Sequence, residues 1–195
     1  MNLPEVQETE GKYLKLNLGE NKMRIMCDPI DGVGYWTPDK KPVRVKWEDR
    51  ETIDVNAPGA DKRKPFWLLP VWNYQSGSMQ LFEITQKTIQ KRLTELNKDE
   101  DWGDLKGYDI SIIKTGEGMD TEYSVTPKPK KELPEEAIKA WEQVEPTLNL
   151  EAIFDGGDPF GAPADKKATA KEVVTKTANV SPEDEEQIDI SDIPF

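Results

Sequence analysis

The sequence predicts a mainly β fold: a five-stranded barrel with one helix between its third and fourth strands, then a short C-terminal helix and an acidic tail. Three observations predict it. Apolar and polar residues alternate in several runs before residue 85 and again after residue 107. A clear helical period separates those two groups, and beyond residue 150 the chain turns glycine-rich and then acidic.

The first eleven residues are polar and expected to be loose. Tyr13, Leu14, Leu16 and Leu18 then lead to a turn at Gly19-Glu20-Asn21, after which Met23, Ile25 and Cys27 alternate with Lys22, Arg24 and Asp28. Val33-Gly34-Tyr35-Trp36-Thr37 is a short strand, and Pro38-Asp39-Lys40-Lys41 reads as a turn. Val43, Val45 and Trp47 alternate with Arg44, Lys46 and Glu48. Residues 49–64 carry Pro58, Gly59 and several charges, as a mobile loop does. Phe66 to Tyr74 is a central strand that turns at Gln75-Ser76-Gly77-Ser78 and returns as Met79 to Ile84. Pro70 brings no N–H to that strand, which predicts a bulge or a locally unpaired edge.

In Thr85–Leu96 the period changes. Ile89, Leu93 and Leu96 fall on one stripe, Thr85 is available as N-cap, and Lys87, Lys91 and Arg92 lie on a solvated side. Tyr108–Lys114 and Thr121–Thr126 resume the strand pattern around Thr115-Gly116-Glu117-Gly118. A short helix follows Pro134, with Ile138, Trp141 and Val144 on one side. Strands, one helix and a closing hairpin are the order of an OB-fold, a five-stranded barrel, although other small barrels share it. The expected organisation is an OB-fold-like domain over 1–150, a flexible linker over 151–180 and a disordered acidic tail over 181–195.

The net charge of −12 argues against a polyanion as partner until it is divided. Residues 151–195 hold eleven acids and four lysines, and 181–195 hold six acids and no base. More than half of the net negative charge is therefore carried by residues 151–195. The chain has no histidine and one cysteine, Cys27, which excludes an internal disulfide, a Cys/His zinc site, and Ser–His or Cys–His catalysis. No apolar run approaches a membrane span, and Met1-Asn2-Leu3-Pro4-Glu5 lacks the basic and apolar regions of a signal peptide, so a reducing cytoplasm is expected.

Single-strand recognition needs cations for phosphates and flat aromatic faces for bases. Residues 36–47 contain Lys40, Lys41, Arg44 and Lys46 against Asp39 alone, flanked by Trp36 and Trp47. Lys62, Arg63 and Lys64 abut Phe66 and Trp67; Lys128, Lys130 and Lys131 follow the hairpin that contains Tyr123. The candidate single-stranded-DNA-binding residues are thus Trp36, Lys40, Lys41, Arg44, Lys46, Trp47, Lys62, Arg63, Lys64, Trp67, Tyr123, Lys128 and Lys130. Trp72 and Trp141 read as core. No cofactor is called for. At the other end, Asp189, Asp192, Ile193, Pro194 and Phe195 offer acids, an aromatic ring and a carboxylate together, suited to an apolar pocket beside a basic side chain of a partner protein.

The ending Asp192-Ile193-Pro194-Phe195 after an acidic stretch resembles the C-terminal tip of bacterial single-stranded-DNA-binding proteins. The body resembles the single-stranded-DNA-binding proteins of tailed bacteriophages, in Asn21–Ile25, Gly34-Tyr35-Trp36, Lys41–Arg44, Val71–Tyr74, Glu83–Lys87, Asp101–Asp104, Gly107-Tyr108-Asp109, Thr115–Gly118, Thr121-Glu122-Tyr123 and Phe154–Phe160. The resemblance implies an OB-fold that coats single strands during phage replication, recombination or repair in the cytoplasm of an infected bacterial host. It also implies a tip that docks replication or repair proteins. Some phage relatives hold structural zinc, which this chain lacks the ligands for. Two other readings remain at this level: a protein-binding adaptor with the barrel as scaffold, and a carboxylate-metal nuclease using Asp99, Asp101 and Asp104, whose spacing does not fit an EF-hand.

Overall fold

A computed structural model describes residues 11–161. The expected tail, with Asp189, Asp192, Ile193, Pro194 and Phe195, lies outside the described residues. The fold is mainly β. Its strands are β1 (Gly19–Ile25), β2 (Ile30–Trp36), β3 (Pro42–Lys46), β4 (Lys64–Asn73), β5 (Ser78–Ile84), β6 (Asp109–Thr115) and β7 (Glu122–Pro127). The helices are α1 (Lys87–Lys98) and α2 (Glu135–Val144). All seven strands pair antiparallel in one open sheet, ordered β3-β2-β4-β1-β6-β7 with β5 on the remaining edge of β4. The expected count of five is corrected to seven, and α1 follows the fifth strand rather than the third.

β4 is the hub. One edge pairs with β2 over Lys64–Leu68 and with β1 over Val71–Asn73, while the other pairs with β5 over Trp67–Asn73. The break between β1 and β2 falls at Pro70, whose carbonyl accepts from the Met26 N–H at 3.1 Å. Its ring nitrogen points the same way, to a place where no donor is needed. The unpaired edge predicted from Pro70 is found in part: neither the β1 nor the β2 ladder reaches Leu69 and Pro70, but the Met26 bond remains.

Alternation gives the sheet two faces. On one, Trp67, Leu69 and Val71 join Met23, Ile25, Phe82, Ile84, Ile110 and Ile112 in the main core, which Ile89, Leu93 and Leu96 of α1 cover. The helical stripe is as the spacing assigns it, but the helix begins at Lys87. Gln86 takes the N-cap position with no side-chain cap bond, so Thr85 is not the cap. The chain stays extended through Ile84, which pairs with Trp67 and is fully buried.

On the other face, α2 sets Ala137 against Trp72 and Met26, while Leu150 and Ile153 bury against Phe66, Leu68 and Leu81. Ala137 and Ala140, with Trp141, face the body, and Ile138 is exposed, contrary to the stripe read from the sequence. Residues 150–160 pack with the body, so the linker expected from 151 does not start there. Two other expectations are corrected. Gly19-Glu20-Asn21 opens β1 instead of turning, because the buried Asn21 amide donates to the carbonyls of Asn17, Gly19 and Ile112 at 2.8–3.1 Å. Residues 49–64 form two 3-10 turns, with Ile53 and Ala60 packed on Val33.

Candidate nucleic-acid interface

The β2–β3 hairpin builds a groove from a glycine floor. Gly32 pairs with Lys46 and Phe66, and Gly34 with Arg44 and Lys64, so the side chains of three strands converge on one face. A Cβ at Gly32 would lie 2.6 Å from the Val45 carbonyl oxygen and 2.9 Å from the Phe66 ring, so only glycine lets that ring lie against the strand. Trp36 ends β2 across from Pro42 and is 60% exposed. Its backbone is wedged by Gly59, whose φ of +92° suits glycine and where a Cβ would collide with the Trp36 carbonyl oxygen.

The resulting cleft measures about 390 Å³ and is lined by Trp36, Arg44, Lys62, Lys64, Phe66 and Glu83, among others. Three cations face one carboxylate. The Arg44 guanidinium donates to one Glu83 oxygen from Nη2 at 2.7 Å and Nε at 3.2 Å, which holds it over the floor. Lys62 and Lys64 are exposed and form no ion pair among the described residues. The turn after Trp36 presents Lys40 and Lys41 to solvent, with Lys40 at a φ of 59°. A lysine in that left-handed conformation costs about 1–2 kcal/mol relative to an ordinary backbone.

The remaining sequence candidates are dispersed. Lys46 turns to Glu151 at 2.9 Å, and that hydrogen bond raises its pKa above the usual lysine value. Trp47 is 41% exposed, but the Arg50 guanidinium covers its ring at 4.7 Å. The cleft beside it sets Asp31, Glu48 and Glu151 against Lys46, the wrong sign for a polyanion. Arg63 is folded back on the Ala60 carbonyl at 3.1 Å. Trp67 lies on the opposite face of β4 from Phe66, half-buried against the main core, and Tyr123 packs there too. Neither joins the groove, because strand alternation sends each of them to the core side.

Lys128 and Lys130 line a second cleft of about 480 Å³, which Glu20, Lys22, Asp109 and Lys131 complete. At its base Asp109 is fully buried, and Arg24 is 3% exposed. One Asp109 oxygen accepts from Arg24 Nε and from the Tyr74 hydroxyl, each at 2.8 Å. Its other oxygen lies 3.2 Å from both the Lys22 and the Lys131 ammonium. Burial alone would raise the Asp109 carboxyl. The Tyr74 hydroxyl, Arg24, Lys131 and Lys22 outweigh it and hold the group below the ordinary aspartate value. Burial and the hydrogen bond to Asp109 push the Tyr74 hydroxyl up to about 12.

Lys22, Arg24, Tyr74 and Asp109 were not singled out from the sequence as functional. Arg24 and Asp109 are 85 positions apart, and each reads as an ordinary polar position in an alternating strand. Asp99 and Asp104, considered above as metal ligands, accept backbone N–H groups of their own turns at 2.9–3.3 Å. Comparison with known protein families, with curated proteins and with solved structures finds no match.

Proposed function

We propose that this chain binds single-stranded DNA in the groove of the β2–β3 hairpin, the activity that the sequence resemblance to phage single-stranded-DNA-binding proteins implies. The observation that carries the reading is an exposed indole, Trp36, beside Arg44, Lys62 and Lys64 on a floor kept low by glycine. An indole face stacks with any base, contributing roughly 1–3 kcal/mol by alanine substitution, and cations alongside it meet the phosphates. Neither contact reads base edges, so sequence preference is weak. Arg44 exchanges its Glu83 partner for a phosphate when a strand enters. The protein then coats and protects single strands in replication, recombination or repair, and the acidic C-terminal tip recruits the proteins that act on them.

The strand order supports an OB-like reading of the body. In it, β5-β4-β1-β6-β7 are the five barrel strands, α1 falls between the third and fourth of them, and β2–β3 is a hairpin inserted after the first. Strand-binding loops of OB-folds arise at that first connection, which is where the Trp36 groove stands.

Fluorescence anisotropy of labelled oligo-dT and of a duplex of equal length tests the reading. The strand binds and the duplex binds far more weakly. The logarithm of the association constant falls with log salt at about −0.7 per phosphate neutralised, a slope of roughly −2 to −3 for three or four contacts. Equal affinity for duplex contradicts the single-strand reading, and no binding of either contradicts DNA binding and leaves an adaptor role.

A further inference from the structure

Lys64, Phe66 and Trp72 alternate along one face of β4, and the register places Arg24 and Asp109 beside Trp72 on that same face. Its middle is covered by α2 and residues 150–160, and the two basic clefts stand uncovered at its two ends. The second cleft gathers Lys22, Lys128, Lys130 and Lys131 against Glu20 and Asp109, an excess of two positive charges in a chain of net −12, with Arg24 buried behind it on Asp109 and Lys128 paired to Glu20 at 2.9 Å.

That excess is built in. Asp109 and Arg24 are buried and bonded to each other, and the carboxylate draws the Lys22 and Lys131 ammoniums to one oxygen. Two like charges held that close repel, and an anion between them relieves the repulsion. The aromatic ring there is taken: the Lys22 and Lys131 ammoniums lie 4.4 and 5.2 Å from the Tyr74 centroid. The cleft has cations to offer and, among the residues lining it, no free ring on which a base could stack.

We infer that the second cleft is a phosphodiester clamp for the backbone of the same strand whose bases occupy the Trp36 groove. The inference rests on the single-strand reading above and adds a site that holds sugar-phosphate without touching bases. A long strand engages both ends of the face, and a short one reaches the groove alone.

The test is a length ladder of oligo-dT against the full chain and its Lys22→Gln/Lys131→Gln variant. Wild-type affinity rises a second time once the strand is long enough to reach both clefts. The variant loses that rise, and its salt slope on long strands shrinks by about 0.7 for each phosphate released. Short strands bind both proteins alike, with the same tryptophan quenching. Replacing the distal half of a long strand by abasic sugar-phosphate preserves the second rise. Because the double variant also loosens Asp109, a Lys128→Gln/Lys130→Gln variant, whose side chains contact no buried carboxylate, must show the same loss on long strands.

Unchanged long-strand affinity and salt slope in both variants would mean that these lysines only neutralise the buried carboxylate, and the clamp would be overturned. Loss of the second rise on abasic backbone would overturn it as well, since bases would then be read there. A wild type that binds no strand of any length removes the single-strand reading itself, and the clamp with it.

Discussion

Asp109 is the residue on which the polar half of the molecule is organised. It is fully buried and holds Arg24, Tyr74, Lys22 and Lys131 around it. Asp109→Asn leaves the Arg24 guanidinium buried without its counter-charge, and such a loss costs about 3–5 kcal/mol. Urea unfolding should report a drop of that size, and a drop under about 1 kcal/mol would mean the cluster is effectively solvated. The depressed carboxyl also fixes a pH dependence. Its contribution is fully present above the unfolded-state value of about 4 and is lost as pH falls through the lower folded-state value. Urea midpoints measured downward from neutral pH should therefore hold level above about pH 5 and decline below it. Glu83 plays the opposite part, competing with a phosphate for Arg44. Glu83→Gln should tighten oligonucleotide binding two- to fivefold, equivalent to at most about 1 kcal/mol for a partly exposed pair. Weaker binding would mean that Arg44 needs Glu83 to hold its position. None of these pairings was legible in the sequence, because the partners come from segments far apart in the chain and local alternation records only that a position is polar.

The elements themselves were far more legible. Strand alternation placed β2, β3, β5, β6 and β7 to within a few residues, and the Ile89, Leu93, Leu96 spacing placed α1. The misses have local causes. Gly19 and Asn21 look like a turn but start β1, since the Asn21 amide is satisfied inside the fold. Residues 49–64 look like a free loop, yet Ile53 and Ala60 anchor them under the hairpin and Gly59 sets Trp36. The hairpin is also where sequence candidates came together in part: Arg44, Lys62 and Lys64 meet Trp36, while alternation carries Trp67 to the other face. Gly32→Ala tests the floor. Its Cβ would press the Phe66 ring and the Val45 carbonyl, so thermal unfolding should show a loss of about 1–3 kcal/mol together with weaker strand binding. Lys40→Gly separates the two effects, because it removes a cation and relieves a left-handed lysine. It should weaken binding at no cost in melting temperature.

At the scale of the whole molecule, a strongly acidic chain keeps two basic clefts by sorting its charge. Eleven of its 38 acids fall after residue 150, and the clefts stand at the ends of one sheet face whose middle is sealed by α2 and residues 150–160. That seal was missed in the sequence because Gly156-Gly157 dominates its neighbourhood, although Leu150, Ile153 and Phe154 carry the apolar spacing that buries it. Ile153→Ala should cost about 2–5 kcal/mol by urea unfolding, as a large-to-small change in a core does, whereas a linker residue would cost nothing.

The central claim is that an exposed indole and its neighbouring cations hold a single strand. Titration of wild type and Trp36→Ala with oligo-dT, followed by tryptophan fluorescence and anisotropy together, tests it most directly. The wild type should be quenched on binding, and Trp36→Ala should lose most of that quenching and about 1–3 kcal/mol of affinity, roughly five- to 150-fold. Wild-type affinity retained in the alanine variant, or a wild type that is neither quenched nor shifted in anisotropy by any single strand, would contradict the account.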